Sequence, residues 1–289
     1  MKTRLITAGV GSALVIGTMI ASAYIPEIFT VVLLVVSMIG IYEALKAIGA
    51  DKVKVVGIPC YVYGALITLA PYIPDTLRMY GAILAASMIY LFAMFAILLK
   101  NYSKLRLDTT CTAMILTMFI AIPFMVLELI FRTIMKNPDG TPSHPAGVAL
   151  VFFTLGIAWF ADGGAYFVGR ALGKHKMAPV LSPKKTIEGA VGGFVSAMII
   201  CMGAAYLYAD VLKYAEGRLN YINLAIITAV CILMSMFGDI SFSAVKRQYG
   251  IKDFGDLLPG HGGVLDRFDS VLFVCPSFYL LNLVLPILK

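Results

Sequence analysis

The segment Ser243–Asp269 carries the residue types that bind phosphate groups and metal ions. Three basic residues precede a His-Gly-Gly turn, which is followed by Asp-Arg-Phe-Asp. The segment lies between two apolar stretches that are each long enough to cross a bilayer. A loop so rich in charge and glycine is unsuited to a hydrophobic core. At a membrane surface, it suits the binding of a polyphosphate and a metal ion beside lipid.

The first part of this segment places cations on the same helical face as a carboxylate. Asp239 and Ser243 are one helical turn apart, and Lys246 and Arg247 follow after a second turn. A carboxylate at the membrane end of that face can hold a metal ion, while the cations bind phosphates beyond it. A ladder of salt bridges within the helix is the alternative explanation.

Two aspartates follow the His-Gly-Gly turn. The Pro and Gly residues at 259–263 favour a tight turn, in which His261 can donate to a phosphate or stabilise the turn itself. For Asp269, a capping position at a helix start is the simpler interpretation. Asp266 and Asp239 come from separate helices, and Mg²⁺ prefers one or two carboxylates with phosphate oxygens and waters. We therefore expect Asp239 and Asp266 to bind the metal.

A second basic motif, LSPKKTIEGAVGG, occupies residues 181–193. Ser182 is a typical N-cap and Pro183 a typical first helical residue, which would place Lys184 and Lys185 in the first turn. Cations there oppose the helix dipole unless an anion binds at the helix start. The motif therefore favours phosphate binding over two lysines that only mark the cytoplasmic side, and Glu188 close behind is a further candidate.

Three other carboxylates fall at or within apolar stretches, where a charge is costly. Asp162 is a functional candidate, with helix packing and a pair to Arg170 as the alternative. For Glu43 and Glu128, a hydrogen bond to a neighbouring helix or a position near the interface is favoured over catalysis.

The composition identifies an integral membrane protein. The chain of 289 residues is 60% hydrophobic and only 13% charged, against about 25% in ordinary soluble domains. The apolar stretches are continuous, which favours helices over a barrel and predicts an all-α polytopic protein with about nine spans. An uncleaved first helix is favoured over a signal peptide.

The five cysteines lie within spans without a Cys-x-x-Cys pair, so neither disulfides nor a zinc site is expected. The predicted spans are 5–24, 28–48, 53–73, 79–99, 110–131, 146–169, 187–209, 221–241 and 270–288.

The distribution of the 23 Lys and Arg residues predicts the orientation of the chain. Most of them lie in the N-terminal tail and in the loops on the same side of the membrane as that tail. This places the N-terminus in the cytoplasm and the C-terminus outside. The two motif-rich loops, 170–186 and 242–269, then face the cytoplasm, where nucleotides are. Residues 1–135 are predicted to form a helical scaffold and residues 146–289 the catalytic region, in a multi-pass protein of the cytoplasmic membrane.

The segment 243–269 resembles the signature of the phosphatidate cytidylyltransferase family, the CDP-diacylglycerol synthases. The upstream segment 162–193 resembles a second conserved region of that family, and the clear resemblance covers about residues 158–270. The signature of Ser, Lys-Arg, Lys-Asp, His-Gly-Gly and Asp-Arg-x-Asp is met without departure by Ser243, Lys246, Arg247, Lys252, Asp253, His261, Gly262, Gly263, Asp266, Arg267 and Asp269.

The resemblance implies the reaction of CTP with phosphatidic acid to give CDP-diacylglycerol and pyrophosphate. It further implies dependence on Mg²⁺, with Asp239 and Asp266 as ligands and a second cation, such as K⁺, beside it. The remaining catalytic candidates are Lys246, Arg247, Lys252, Asp253, His261 and Arg267. The phosphate-binding candidates are Ser182, Lys184, Lys185, Ser243, Lys246, Arg247 and Arg267, with Asp162, Glu188 and Asp269 as further site candidates.

Other classes of protein remain alternatives. A transporter would also place carboxylates in spans, but paired halves or interrupted helices at matching positions are not evident. A CTP-dependent polyprenol or phytol kinase, or an enzyme that makes the archaeal CDP-lipid, is a nearer neighbour. A purely structural membrane protein leaves the charged loops unexplained. A homodimer through a small-residue helix face is compatible with the sequence, and no nucleic-acid partner is expected.

Overall fold

The computed structural model describes residues 2–50, 54–133, 143–212, 218–260 and 262–288. The chain is predominantly helical, as the sequence predicts, with one short two-stranded sheet in the described part. The helices are α1 Lys2–Tyr24, α2 Glu27–Ala47, α3 Lys54–Leu69, α4 Thr76–Lys100, α5 Leu107–Thr133, α6 His144–Leu172, α7 Ile187–Tyr206, α8 Tyr221–Gln248, α9 Leu265–Phe268 and α10 Val271–Val284, and the strands are β1 Lys176–Ala178 and β2 Ser182–Thr186.

Within the described residues, eight helical segments are long and apolar enough to span a membrane. The all-α polytopic membrane fold is therefore confirmed. The apolar part of α1, Gly9–Tyr24, is shorter than these eight, so the predicted count of nine spans and the predicted orientation stay predictions. Large apolar side chains are exposed along α4, among them Leu84, Ile89 and Phe92, as expected for a helix that faces lipid.

The chain divides into two compact units, which are described separately. The first comprises Met1–Ile134 and Tyr249–Phe268, and the second comprises Met135–Gln248 and Asp269–Lys289. The segment 249–268, which we call the signature loop, thus belongs to the unit that contains the N-terminal helices. The predicted functional division into a scaffold at 1–135 and a catalytic region at 146–289 stays a prediction.

In the first unit, α5 is the most buried of the apolar helices and forms the centre of the core. Phe131 of α5 packs against Phe29 of α2 with 4.7 Å between ring centroids. Tyr249 and Phe268 anchor the two ends of the signature loop to α5. The Tyr249 hydroxyl donates to Thr112 at 3.1 Å, and the Phe268 ring meets Phe124 edge-on.

Glu128 of α5 is fully buried and bonds to a neighbouring helix, which is one of the two interpretations favoured from the sequence. Its Oε1 accepts from the Thr30 hydroxyl of α2 at 2.7 Å and from the Arg132 guanidinium one turn along α5. Arg132 also lies over the Tyr72 ring. The charge at membrane depth is therefore paired and hydrogen-bonded, as such groups need to be.

In the second unit, α6 and α7 are held together by glycines at their contact. A Cβ at Gly164 would come within 3.1 Å of the Gly193 Cα, and one at Gly193 would overlap the Ala161 carbonyl. Gly169 and Gly189 face each other in the same way. This is the close backbone approach that small residues permit between membrane helices. These glycines are thus used within the chain and do not form a free face for a second copy.

The hairpin of β1 and β2 corrects the prediction for the second basic motif. Ser182 is not an N-cap and Lys184 and Lys185 are not in a first helical turn, because all three lie in β2, which pairs antiparallel with β1. The N-cap of α7 is Thr186, whose hydroxyl accepts from the Gly189 N–H at 3.1 Å. Placing the lysines in a strand also removes their conflict with the helix dipole.

Candidate active site

Of the two lysines in β2, one contacts α8. Lys185 forms an ion pair with the carboxylate of Asp239, and both side chains are partly buried. Side chains alternate along a strand, so the neighbouring Lys184 lies on the other side and is exposed. Only Lys185 of this pair is therefore tied to a predicted metal ligand.

A second ion pair lies deeper in the same unit. Lys246 of α8 and Asp269 are both buried, with 3.5 Å between Lys246 Nζ and Asp269 Oδ2. The N-cap of α10 is Ser270, so the interpretation of Asp269 as a simple helix cap is wrong. Its other oxygen accepts from the adjacent Ser270 N–H at 2.8 Å. Because Asp269 packs against α8, its carboxylate pairs with the buried ammonium group of Lys246.

Asp162 of α6 joins these groups through Ser270. Its Oδ2 accepts from the Ser270 hydroxyl at 3.1 Å. Asp269 also lies within electrostatic range of both Asp239 and Asp162. We call Asp162, Asp239 and Asp269 the acidic cluster. Lys185 and Lys246 form ion pairs with two of its three carboxylates. Arg170, the predicted alternative partner of Asp162, bonds to the Tyr166 hydroxyl at 3.4 Å.

Carboxylate oxygens, like those of the acidic cluster, are ligands that Mg²⁺ prefers in proteins. Among the residues that the structure describes, no three His, Cys, Asp or Glu side chains are arranged to hold a metal ion by themselves. Mg²⁺ commonly binds through one or two carboxylates and completes its shell with substrate phosphates and waters. The chemistry of the cluster therefore fits Mg²⁺ as an ion shared with a phosphate ligand.

Two more candidates from α8 occupy different environments. Arg247 is exposed, and its Nε donates to the Leu181 carbonyl between the strands of the hairpin at 3.4 Å. Ser243 is buried on the same helix. The predicted face of α8 is thus one continuous helical stretch, and two of its ion pairs reach outside the helix, to Lys185 of β2 and to Asp269.

Glu188, at the start of α7, bonds to the residues that precede β1. Its carboxylate accepts from the backbone N–H of Lys174 at 3.0 Å and of His175 at 3.1 Å, and it contacts the His175 ring at Nδ1. These contacts tie the start of α7 to the chain that enters β1. Any role of Glu188 in catalysis stays a prediction, whereas its contacts hold the element that carries Lys185.

In the first unit, the signature loop lines a cavity of about 500 Å³ that is open to the surface. Two cations and two carboxylates line it together with glycine backbone. This pairing of cations with open backbone suits phosphate groups. Among the described residues that line it, Asp256 is charged and was not predicted from the sequence, although it lies between predicted residues of the same loop. The charged lining residues are Lys252, Asp253, Asp256 and Arg267.

Asp266 is buried and bound to the backbone of the loop. Its Oδ2 accepts from the Phe254 N–H at 2.8 Å and from the Gly263 N–H at 3.0 Å. Gly262 has φ of 86°, a conformation that favours glycine, and it packs against this carboxylate. Asp266 therefore shapes the loop directly, a role that its spacing in the sequence did not predict. The predicted residue His261 lies outside the described residues.

The predicted site residues therefore fall into two groups. The second unit brings together Asp239, Asp269, Asp162, Lys185 and Lys246, and the first brings together Asp266 and the cavity-lining residues. Asp239 and Asp266 belong to different units, so their joint binding of a metal stays a prediction.

With this geometry in view, comparison with known proteins identifies the family. The sequence model of the cytidylyltransferase family matches residues 2–285, and the chain belongs to that family. The resemblance is thus confirmed over nearly the whole chain. The chain is 34% identical to the phosphatidate cytidylyltransferase of Bacillus subtilis strain 168 over 288 residues, which is 97% of each protein. It is 41% identical over 139 residues to those of Staphylococcus haemolyticus and Staphylococcus aureus strain COL, covering 48% of this chain and 50% of theirs.

Proposed function

We propose that this protein transfers the cytidylyl group of CTP to phosphatidic acid, giving CDP-diacylglycerol and pyrophosphate. The observation that carries the proposal is the match along nearly the full length to a phosphatidate cytidylyltransferase. The two groups of cations and carboxylates support it, because they supply what a reaction between two anions requires.

In the proposed reaction, a phosphate oxygen of phosphatidic acid attacks the α-phosphorus of CTP. A new P–O bond forms, and the bond between the α-phosphorus and the bridging oxygen breaks as pyrophosphate leaves with the electron pair. The nucleophile is already an anion at neutral pH, so the protein chiefly positions two anions and cancels their repulsion. No covalent enzyme intermediate is required.

The proposed phosphate-binding cations are of two kinds, lysines that are paired with carboxylates and arginines that are exposed. Lys185 and Lys246 are held in place by carboxylates, so their charges are oriented before substrate arrives. Arg247 and Arg267 are exposed and suit bidentate contact with phosphate. Lys252 and Arg267 both line the cavity.

Asp239 and Asp266 are the proposed ligands for Mg²⁺, with Asp269 and Asp162 as neighbours of Asp239. When bound, the ion would stabilise charge that develops on the phosphate oxygens. Asp266 already accepts two backbone N–H bonds through Oδ2, so its carboxylate is oriented by the loop. A second cation such as K⁺ is part of the same proposal.

The site is proposed to face the cytoplasm in a multi-pass protein of the cytoplasmic membrane, because the Lys and Arg distribution follows the positive-inside rule. A homodimer is proposed separately. Gly164, Gly169, Gly189 and Gly193 are taken up by the contact between α6 and α7, whereas Gly9, Gly11 and Gly17 of α1 have open space beside them. Light scattering of the protein in detergent would determine the oligomeric state.

Product analysis tests the function directly. Purified protein in detergent receives phosphatidic acid, labelled CTP and Mg²⁺, and we expect a nucleotide-bearing lipid and pyrophosphate. CDP with a phosphorylated alcohol would identify a lipid kinase instead. Solute flux into liposomes without CTP would identify a transporter.

A further inference from the structure

Glu43 is a buried carboxylate of α2 to which the proposed reaction assigns no role. Its two oxygens accept from the backbone N–H groups of Val264 and Leu265, at 3.0 Å and 2.8 Å. Only 3% of the residue is exposed. All three residues belong to the first unit, so this contact joins a membrane helix to the end of the signature loop.

The loop is shaped to admit this carboxylate. A Cβ on Gly255 or on Gly263 would overlap the Glu43 carboxylate. Neither glycine is in the left-handed conformation, so the close approach to Glu43 is what requires a residue without a side chain. Two separate parts of the loop therefore fold around one carboxylate.

The backbone N–H groups that bind Glu43 directly follow, along the chain, one that binds Asp266. Asp266 accepts from the N–H of Phe254, which precedes Gly255, and from the N–H of Gly263, which precedes Val264. Glu43 accepts from the next two N–H groups after Gly263. The two carboxylates thus bind consecutive donors and fix the same stretch of backbone.

That stretch carries the walls of the cavity. Asp253, Asp256 and Arg267 line it, and each is within three residues of a group that Glu43 or Asp266 contacts. We propose that Glu43 is a positioning residue, which sets the signature loop so that Arg267 and Lys252 meet the phosphates of the substrate. The effect on turnover rests on the proposed function, whereas the effect on the loop does not.

Glu43→Gln removes one of the two acceptor oxygens and keeps the size of the side chain nearly unchanged. The amide has one carbonyl oxygen, so one of the two backbone N–H groups would face an NH₂ group and lose its acceptor. A buried unsatisfied donor and the loss of charge-assisted bonds both favour a displaced loop. The matched control is Glu128→Gln, which changes a buried carboxylate of the same unit that contacts Thr30 and Arg132.

Hydrogen exchange read by mass spectrometry tests the positioning without any substrate. We expect Glu43→Gln to speed exchange in peptides covering 254–267, while Glu128→Gln leaves those peptides as in wild type. Unchanged exchange there in folded Glu43→Gln would overturn the proposal, as would equal acceleration in Glu128→Gln. If Glu43→Gln does not fold, Gly263→Ala crowds the same carboxylate from the loop side and must show the same local acceleration.

Steady-state kinetics supply the second measurement. Loss of the bonds should raise KM for CTP about tenfold in Glu43→Gln, whereas Glu128→Gln should lower the thermal midpoint and leave KM for CTP unchanged. A wild-type KM and kcat in Glu43→Gln would contradict the proposal. If wild type itself makes no CDP-lipid, the proposed function fails, and the exchange measurement still decides the role of Glu43.

Discussion

Lys185 of the hairpin and Asp239 of α8 form an ion pair, although 53 positions separate them in the sequence. This contact links the second basic motif to the carboxylate that begins the basic face of α8. It also makes the two lysines of the motif unequal, because Lys184 is exposed on the other side of β2.

Lys185→Ala should therefore impair the reaction far more than Lys184→Ala. A charge-assisted hydrogen bond contributes about 1.5–3 kcal/mol, which corresponds to a loss of about 10- to 150-fold in kcat/KM. An exposed charge contributes about 0–1 kcal/mol, so Lys184→Ala should lose less than about fivefold. Steady-state kinetics with CTP as the varied substrate measure both. Equal losses in the two variants would contradict the structural distinction.

The buried pair of Lys246 and Asp269 should be energetically coupled. Removing one partner leaves a buried charge without its counterion, which costs about 3–5 kcal/mol. Lys246→Met and Asp269→Asn should each lower the free energy of unfolding, measured by denaturant titration in detergent. The double variant should lose less than the sum of the two single losses. Strict additivity would show that the two side chains do not interact.

The N-cap of α7 can be tested with two hydroxyl residues of the same motif. Thr186→Ala removes the acceptor for the Gly189 N–H and should destabilise the protein by about 1 kcal/mol. Ser182→Ala should have little effect, because Ser182 lies in β2 and does not cap the helix. Thermal unfolding in detergent compares the two. A larger effect for Ser182→Ala would restore the cap predicted from the sequence.

The contact between α6 and α7 predicts opposite results for two glycines of one helix. At Gly193, a Cβ would overlap the Ala161 carbonyl, whereas at Gly203 it would meet open space. Gly193→Ala should lower the thermal midpoint, because backbone of α6 must move. Gly203→Ala should leave it unchanged or raise it, since alanine favours a helix by up to about 1 kcal/mol over glycine. Similar midpoints for both variants would show that α6 yields without cost.

The sequence predicts those features that depend on local pattern and composition. Continuous apolar stretches predict the membrane helices, and the spacing from Asp239 to Arg247 correctly places these residues along one helix. The hairpin was missed because Ser-Pro before two lysines also fits a helix start, and strands of three and five residues carry little pattern of their own. Thr186, four residues after Ser182, is also a suitable N-cap, and it is the one that begins α7.

Contacts between distant positions could not be predicted. Glu43 meets Val264 across 221 positions in the chain, and nothing in the residues around Glu43 indicates that partner. Asp269 likewise resembles a helix cap by sequence, and only packing against α8 shows that it faces Lys246. The signature itself identifies which residues matter, whereas the structure shows which of them hold one another in place.

The most direct test of the central claim follows the two ends of the triphosphate. The protein is given phosphatidic acid, Mg²⁺ and CTP that is labelled either on the α-phosphorus or on the γ-phosphorus, and the wild type is compared with Asp239→Asn. Cytidylyl transfer predicts that the α label enters the lipid, that the γ label leaves in pyrophosphate, and that Asp239→Asn abolishes both while the protein stays folded in the membrane. Transfer of the γ label to lipid, or full activity of Asp239→Asn, would contradict the account.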